Sequence, residues 1–257
     1  MPKLRLRRLA VLAVGAAVAA IAAGIGTGRI PARPILTFIQ FKFAPEKARV
    51  QHLVQLRHPE SGQVVFLAGT THQYHYDDPA YSIWHVKAIV TGLDVDAVFV
   101  EMMPDAVSEA RYGEGPVEMP FITLAAREAG IDVKGIDAGW DGGWRGRQAQ
   151  MFANAQANMA GRKRVLVTSG FMHVHQFEEQ FQSVGFVPVP WPEAERQRLF
   201  EREVPHTWPV GLADALREAI ARAERGEIET DPERAADTAW FIQVREQVLK
   251  VMGERLR

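Results

Sequence analysis

The spacing of apolar residues changes several times along the chain, and each change marks an element. "VQHLVQLRHPESGQVVFLAG", from Val50, alternates between apolar and polar and breaks at Pro59, Ser61 and Gly62. Two antiparallel strands joined by a short hairpin loop are predicted there. The period then lengthens: "DPAYSIWHVKAIVTGL" reads as a helix, with Asp77 or Asp78 available as N-cap and Pro79 in the first turn. "DAVFVE" is a continuous apolar strand ending at Glu101, and "FITLAAREAG" is a helix capped by Gly130. "DVKGID" is a further strand, "RQAQMFANAQANMAG" a helix, "RVLVTSG" a buried strand and "VHQFEEQFQSVG" a helix. Strand and helix alternating at short intervals predict right-handed crossovers. The expected fold is α/β, a mainly parallel sheet with helices on both faces, opened by an N-terminal β-hairpin.

The last third has a different texture. "PEAERQRLFERE", "GLADALREAIARAERG" and "PERAADTAWFIQVREQVLKVMGERLR" carry apolar residues at spacings of three and four, such as Leu212, Leu216 and Ile220, then Trp240, Val244 and Val248. This C-terminal helical extension either caps the sheet or makes a partner surface. No stretch in it escapes charge long enough for a second membrane span.

At the other end, Lys3, Arg5, Arg7 and Arg8 stand directly before an uncharged, Ala-rich run from Leu9 to Gly26. That pairing reads as a signal anchor, or as a signal peptide cleaved near Ala20 and Ala22. A run of about 18 residues is near the shortest that spans a ~30 Å hydrocarbon core. The basic flank stays cytoplasmic and sends the rest of the chain across. The expected localisation is a single N-terminal membrane span with the domain on the non-cytoplasmic side, or secreted or periplasmic if cleaved. The organisation expected is therefore 1–28 anchor or signal peptide, 29–49 linker, 50–190 α/β core and 191–257 helical region.

Composition narrows the function classes. At 257 residues and 47% hydrophobic content the chain affords a large core. A net charge of −1 offers no basic surface for nucleic acid, which is excluded as a partner on that ground. With no cysteine, disulfides, thiolate metal sites and a Cys nucleophile are all excluded. No Gly-x-Ser-x-Gly elbow, Walker loop or dinucleotide fingerprint is present.

The candidate chemistry lies at strand ends. In a parallel sheet the carboxyl ends share one edge, and ligands bind beyond it. "VVFLAGTTH" ends in Gly69 to His72, "AVFVE" in Glu101, and "VLVTSGFMH" in Gly170 to His173. Two imidazoles and a carboxylate are a familiar set for a divalent metal ion, Mn, Co, Zn or Fe, so His72, Glu101 and His173 are the candidate metal ligands. A metal-bound water becomes a nucleophile near neutral pH. Glycine before each histidine allows a tight turn and a close backbone approach. The bland alternative is that these histidines are loop or core residues.

His75, Asp137 and His175 are candidates for the surrounding shell. Asp77 and Asp78 either join that shell or cap the next helix, and His175 faces the surface if a helix already starts at His173. Asp137 either orients a ligand histidine or Arg147, or caps a loop. Trp140, Trp144 and Arg145 sit in the Gly-rich "GWDGGWRGR", where the tryptophans either stack on a ligand or fill space between elements. His52, His58, His85 and His206 are read as packing residues.

"LAGTTH", "HVKAIVTGLDVDAVFVEMMP", "RQAQM" and "VLVTSGFMH" resemble the TraB, PrgY, GumN and Tiki superfamily, whose wider relatives include ChaN-like and erythromycin-esterase-like proteins. The resemblance covers roughly residues 50–185, about half the chain. It implies a membrane-tethered, metal-dependent hydrolase, peptidase-like, acting on a peptide or small-molecule substrate. His72 and His173 would then hold the ion, and Glu101 would hold it or act as catalytic base. Arg147, the Arg of "RQAQM", would stabilise an oxyanion or a substrate carboxylate. The ChaN relationship implies haem as the alternative cofactor, cradled by Tyr74, Tyr76, Tyr81 and Met103. A non-enzymatic haem or metal binder and a peptide-sequestering regulator stay open beside the hydrolase. The sequence departs from its relatives after Glu101, where Met102, Met103, Pro104 and Asp105 stand and the nearest arginine is Arg111. The short segment that follows implies a reduced lid, or one supplied by the C-terminal helices.

Overall fold

The computed structural model describes residues 39–139, 143–228 and 235–253. The predicted anchor over 1–28, and Trp140, lie outside the described residues. Among the described residues no helix is long and apolar enough to cross a membrane. The chain divides into two compact units, Met1–Ala44 and Pro45–Arg257. In the first, residues 39–43 are helical; the second holds the sheet.

The sheet unit opens with helix α1 (Pro45–Gln51), which contacts the first strand, so folded structure starts inside the segment expected to be linker. Strands β1 (Leu53–Arg57) and β2 (Val64–Thr70) form the predicted hairpin, with Leu56 opposite Val65. Helix α2 (Ile83–Gly92) leads to β3 (Ala97–Val100), α3 (Pro104–Ser108) and α4 (Met119–Glu128) lead to β4 (Asp132–Gly135), and α5 (Gly143–Asn158) leads to β5 (Arg164–Gly170). Helix α6 (Phe171–Ser183) and β6 (Val187–Pro188) precede three further helices, α7 (Glu193–Phe200), α8 (Leu212–Glu224) and α9 (Ala235–Val251).

The six strands lie in the order β4-β3-β5-β2-β1-β6. The four from β4 to β2 are mutually parallel, and β1 runs antiparallel to both its neighbours. The fold is thus α/β, with a mainly parallel sheet covered on both faces. The inner parallel strands β2, β3 and β5 are largely apolar because successive residues face opposite layers and both layers are dry, whereas the edge strand β4 exposes Asp132. One layer joins Leu56, Val65, Leu67, Phe99, Val165 and Val167 to Met151 of α5 and to Val174, Phe177 and Phe181 of α6. The alternate residues Phe66, Val98 and Leu166 are equally buried, on the face where α4 contacts β3 and β4 and holds α2.

Two local details differ from expectation. The helix predicted from Pro79 is split into a 3₁₀ turn over Pro79–Tyr81, capped by Asp78, and α2, capped by Ser82. Ser82 is extended, and its N–H donates to His85 Nδ1 at 2.9 Å, which restarts the helix in a new direction. Strand β6 has two residues and ends in proline, a pattern too short to read in sequence but well suited to a sheet edge.

The loop after β3 crosses the end of β4 at very short range. A Cβ on Gly135 would lie 2.6 Å from the carbonyl oxygens of both Met102 and Met103. Gly135→Ala is expected to destabilise the protein by about 1–3 kcal/mol through overpacking, read as a lower urea midpoint. An unchanged midpoint would mean this crossing is not a fixed contact.

Candidate active site

Strands β3, β5 and β2 are neighbours, so their carboxyl ends meet at one edge. Register places Thr70 beside Gly170 and Val100 beside Thr168. His72, Glu101 and His173, far apart in the chain, thereby line one cavity of about 340 Å³ together with Gly170 and Arg147. This is near the lower end of the roughly 300–1,000 Å³ typical of small-ligand pockets.

Glu101 is 3% exposed and its two oxygens have separate partners. Oε2 accepts the Gly170 N–H at 2.6 Å, at the N-terminus of α6, where the helix dipole favours an anion. Oε1 accepts from Arg147 Nη2 at 2.8 Å and lies 3.5 Å from His173 Nε2. Burial opposes the charge on Glu101, but the Arg147 guanidinium and the His72 imidazolium outweigh it and hold the carboxyl well below the usual range. Arg147 also donates to Asp137 at 2.8 Å and to the Ala138 carbonyl at 3.3 Å. Burial and the charge of Glu101 push the Asp137 carboxyl upward.

His173 stands in the first turn of α6. Its Nδ1 meets Gln148 Oε1 at 2.6 Å, and that amide is oriented because its Nε2 donates to Gln180 at 2.8 Å. The proton then belongs on Nδ1, leaving Nε2 to face Arg147 Nη1 at 3.2 Å. Trp144 stacks on the ring, centroids 4.4 Å apart and planes 19° apart.

His72 is built differently. Its backbone sits at φ 54°, a left-handed conformation that non-glycine residues adopt only under constraint. Nδ1 lies 3.0 Å from Glu118 Oε1, which also accepts the Thr70 hydroxyl at 2.5 Å. Glu118 is fully buried, whereas the His72 side chain keeps 39% exposure. Its Nε2 has no hydrogen-bond partner among the described residues and lies over Gly170, where a Cβ would approach it to 3.0 Å. Burial works against the imidazolium, but the charge and hydrogen bond of Glu118 outweigh it, Glu101 adds to them, and the His72 pKa rises to about 9.

The two Gly-x-x-His motifs owe their glycines to close approach rather than to turn conformation, since neither Gly69 nor Gly170 has a positive φ. Gly69 lets β2 lie against Phe171 and Val174 of α6. Gly170 leaves room for the His72 ring and the Glu101 carboxylate.

Of the three residues expected around the site, Asp137 is there, holding Arg147. His75 is not: its Nε2 accepts the Thr71 N–H at 2.8 Å and its Nδ1 meets the Tyr81 carbonyl at 2.7 Å, so it braces the turn behind His72. His175 points away because α6 has already begun, and its ring meets His52 at 5.5 Å and Glu178 at 3.6 Å. The tyrosines grouped for haem are committed elsewhere. Tyr81 donates to the Gly69 carbonyl at 2.5 Å and Tyr76 to that of Val117 at 3.2 Å, and Tyr74 is exposed. None of these, nor Met103, lines the cavity. Asp78 caps its turn and Asp77 accepts from Gln247 at 2.9 Å. Arg111 pairs with Asp105, Glu109 and Glu114.

Glu118, Gln148 and Arg245 escaped the sequence reading, although a cover from the C-terminal helices was expected. Glu118 stands at the N-cap of α4, where an acidic residue reads as an ordinary helix start. Gln148 lies inside the "RQAQM" motif but was not assigned a role. Helix α9 supplies Trp240, Phe241, Val244 and Arg245 to the cavity wall, and the only sequence signal was an arginine set beside an apolar stripe.

Two imidazoles and a carboxylate are suitable donors for a divalent cation. As placed, however, both Glu101 oxygens accept hydrogen bonds and His173 Nε2 faces a guanidinium. Only His72 Nε2 is unspent, so the residues fit Arg147 at their centre better than a dication. Among the described residues no three His, Asp or Glu are gathered as a metal shell. Comparison of the chain with protein families, with curated proteins and with solved structures finds no match.

Glu118→Gln is expected to return the His72 pKa from about 9 toward the ordinary value of about 6.5, followed by NMR titration of the ring protons. The paired His72 stabilises the fold fully below about pH 6.5 and loses that contribution as pH rises through about 9. The Tm gap between wild type and Glu118→Gln should therefore narrow from pH 6 to pH 10; a gap that widens would reverse the assignment.

Proposed function

We propose that this cavity is the active site of a hydrolase, with the peptide bond as its substrate class, on an exported and membrane-tethered chain of the TraB and Tiki type. The observation that carries the reading is the His72–Glu118 pair, which fixes one imidazole nitrogen on a buried carboxylate and leaves the other toward the cavity. The basic, then apolar, N-terminus supports export, and the strand-end motifs support the family.

The chemistry follows from the residues present. Neutral His72 takes a proton through Nε2 from a water attacking the carbonyl carbon, while Glu118 steadies the imidazolium that forms. The Arg147 charge faces the oxyanion. The tetrahedral adduct then expels the amine, which receives the proton from His72, and the carboxylic acid product remains. Glu101, with both oxygens engaged, is the anchor of Arg147 and not the base.

A second reading keeps the same residues and adds a divalent ion, as the family resemblance implies. The Glu118–His72 contact favours it, because metal-ligating histidines characteristically hold a carboxylate on the other nitrogen. That reading requires Arg147 to withdraw from His173.

Full-length protein assayed on acylated peptides, with and without divalent ions, tests both. His72→Gln is expected to lower kcat/KM by roughly 10²–10⁴-fold and Arg147→Lys by roughly 10²–10³-fold. In wild type kcat/KM should climb with pH and level off above about 9, as His72 loses its proton. Stoichiometric Mn, Co, Zn or Fe, lost in His72→Ala and in His173→Ala, would select the ion-bearing form. Equal rates for wild type, His72→Gln and Arg147→Lys across the whole panel would sink the hydrolase reading.

A further inference from the structure

The cavity has a second arginine, supplied by α9, and its surroundings differ from those of Arg147. Arg245 of α9 is 2% exposed and lines the cavity. Among the described residues its guanidinium donates only to backbone carbonyls: Nε and Nη2 to Gly113 at 2.9 and 2.8 Å, Nη2 to Gly115 at 2.6 Å, and Nη1 to Phe241 at 3.1 Å. An arginine offers five N–H donors, so these four bonds leave one Nη1 N–H over. Arg245 forms no ion pair with any carboxylate of the described residues, whereas Arg147 holds Glu101 and Asp137.

A buried charge without a counterion is costly, and an anion that completes the pair recovers much of that cost. Burial pushes Arg245 down to about 9, and the Glu118 carboxylate, which opposes that shift, is itself engaged with His72. The guanidinium lies 3.2 Å from the centroid of the Phe241 ring, and Val117, Met172, Trp240 and Val244 add apolar surface to the same cavity. A carboxylate can accept the remaining Nη1 N–H, and such a charge-assisted bond is stronger than one to a neutral acceptor.

We propose that Arg245 makes the cavity selective for ligands that carry a carboxylate beside an apolar group. The inference rests on the hydrolase reading only for the choice of peptides as ligands; the recognition itself is a binding property. A peptide ending in an apolar residue supplies that chemistry, and so does a free apolar carboxylic acid. The small cavity suits the end of a chain better than its middle.

The test is binding of N-acetyl-Leu-Phe, with its free carboxylate, against the same peptide ending in an amide, by calorimetry on the full-length protein and on His72→Gln to exclude turnover. The acid is expected to bind about tenfold to hundredfold more tightly, in both proteins. Arg245→Gln should abolish the preference, and Arg245→Lys should keep part of it. Arg245 also ties α9 to the Gly113–Gly115 loop, so each variant is checked by its Tm and near-ultraviolet circular dichroism. If neither variant folds, the acid-against-amide comparison in wild type and in Arg147→Lys decides: a preference that falls in Arg147→Lys assigns the carboxylate to Arg147 and overturns the proposal. 3-Phenylpropanoate separates the sources: equal affinity assigns free acids, weaker affinity assigns peptide C-termini. Equal binding of acid and amide by wild type, no binding of the acid at millimolar concentration, or an undiminished preference in a folded Arg245→Gln would overturn the proposal. Loss of hydrolysis in His72→Gln with the preference intact would separate the two claims.

Discussion

An ionised carboxylate inside a protein survives only if its surroundings replace the water it lost, and Glu101 meets that demand with two independent supports. One is the Gly170 N–H at the start of α6, and the other is the Arg147 guanidinium from α5. Because those supports come from β5–α6 and from α5, the demand ties three crossover units together at the sheet edge. Asp137, from the end of β4, adds a fourth through Arg147. The edge is therefore a set of charges that hold one another in place, and no member has freedom to turn toward solvent.

That arrangement divides the labour between two imidazoles with similar sequence signatures. His173 is consumed by the network, gripped by Gln148 on one nitrogen, facing Arg147 on the other and covered by Trp144. His72 is held on one side only, by Glu118, and its strained backbone turns the ring over Gly170. Backbone strain of this kind persists where the surrounding contacts over-determine it, and His72 has such contacts in the Thr70–Glu118 bond and in the His75 brace behind it. A fixed imidazole with a free nitrogen beside a fixed guanidinium is a preorganised pair, which lowers the reorganisation needed when charge develops.

The roof matters as much as the floor. Trp240, Phe241 and Val244 of α9 form one wall of the cavity that holds the charged groups, and where those groups are buried the lower local dielectric strengthens the interactions among them. The segment after Glu101 makes only one short helix, α3, before α4. With so little cover from the chain's own middle, the cavity borrows its roof from the C-terminal helices, attached through Arg245 to the Gly113 and Gly115 carbonyls.

The sequence by itself determined the α/β class, the opening hairpin, the strand and helix alternation, and the convergence of His72, Glu101 and His173. Each of these follows from local periodicity or from a rule of parallel sheets, and needs only neighbours along the chain. It also marked Arg147 and Asp137 for the same edge. The tertiary structure decided what those groups do. Both Glu101 oxygens are occupied because two donors from distant elements, the Gly170 N–H and Arg147, reach them. His75 and His175 left the site because their rings are aimed by backbone dihedrals, a 3₁₀ turn in one case and a helix started three residues early in the other. Glu118 and Arg245 entered it because a buried charge is assigned its partner by the packing of elements far apart in sequence, and no pattern along the chain encodes that distance.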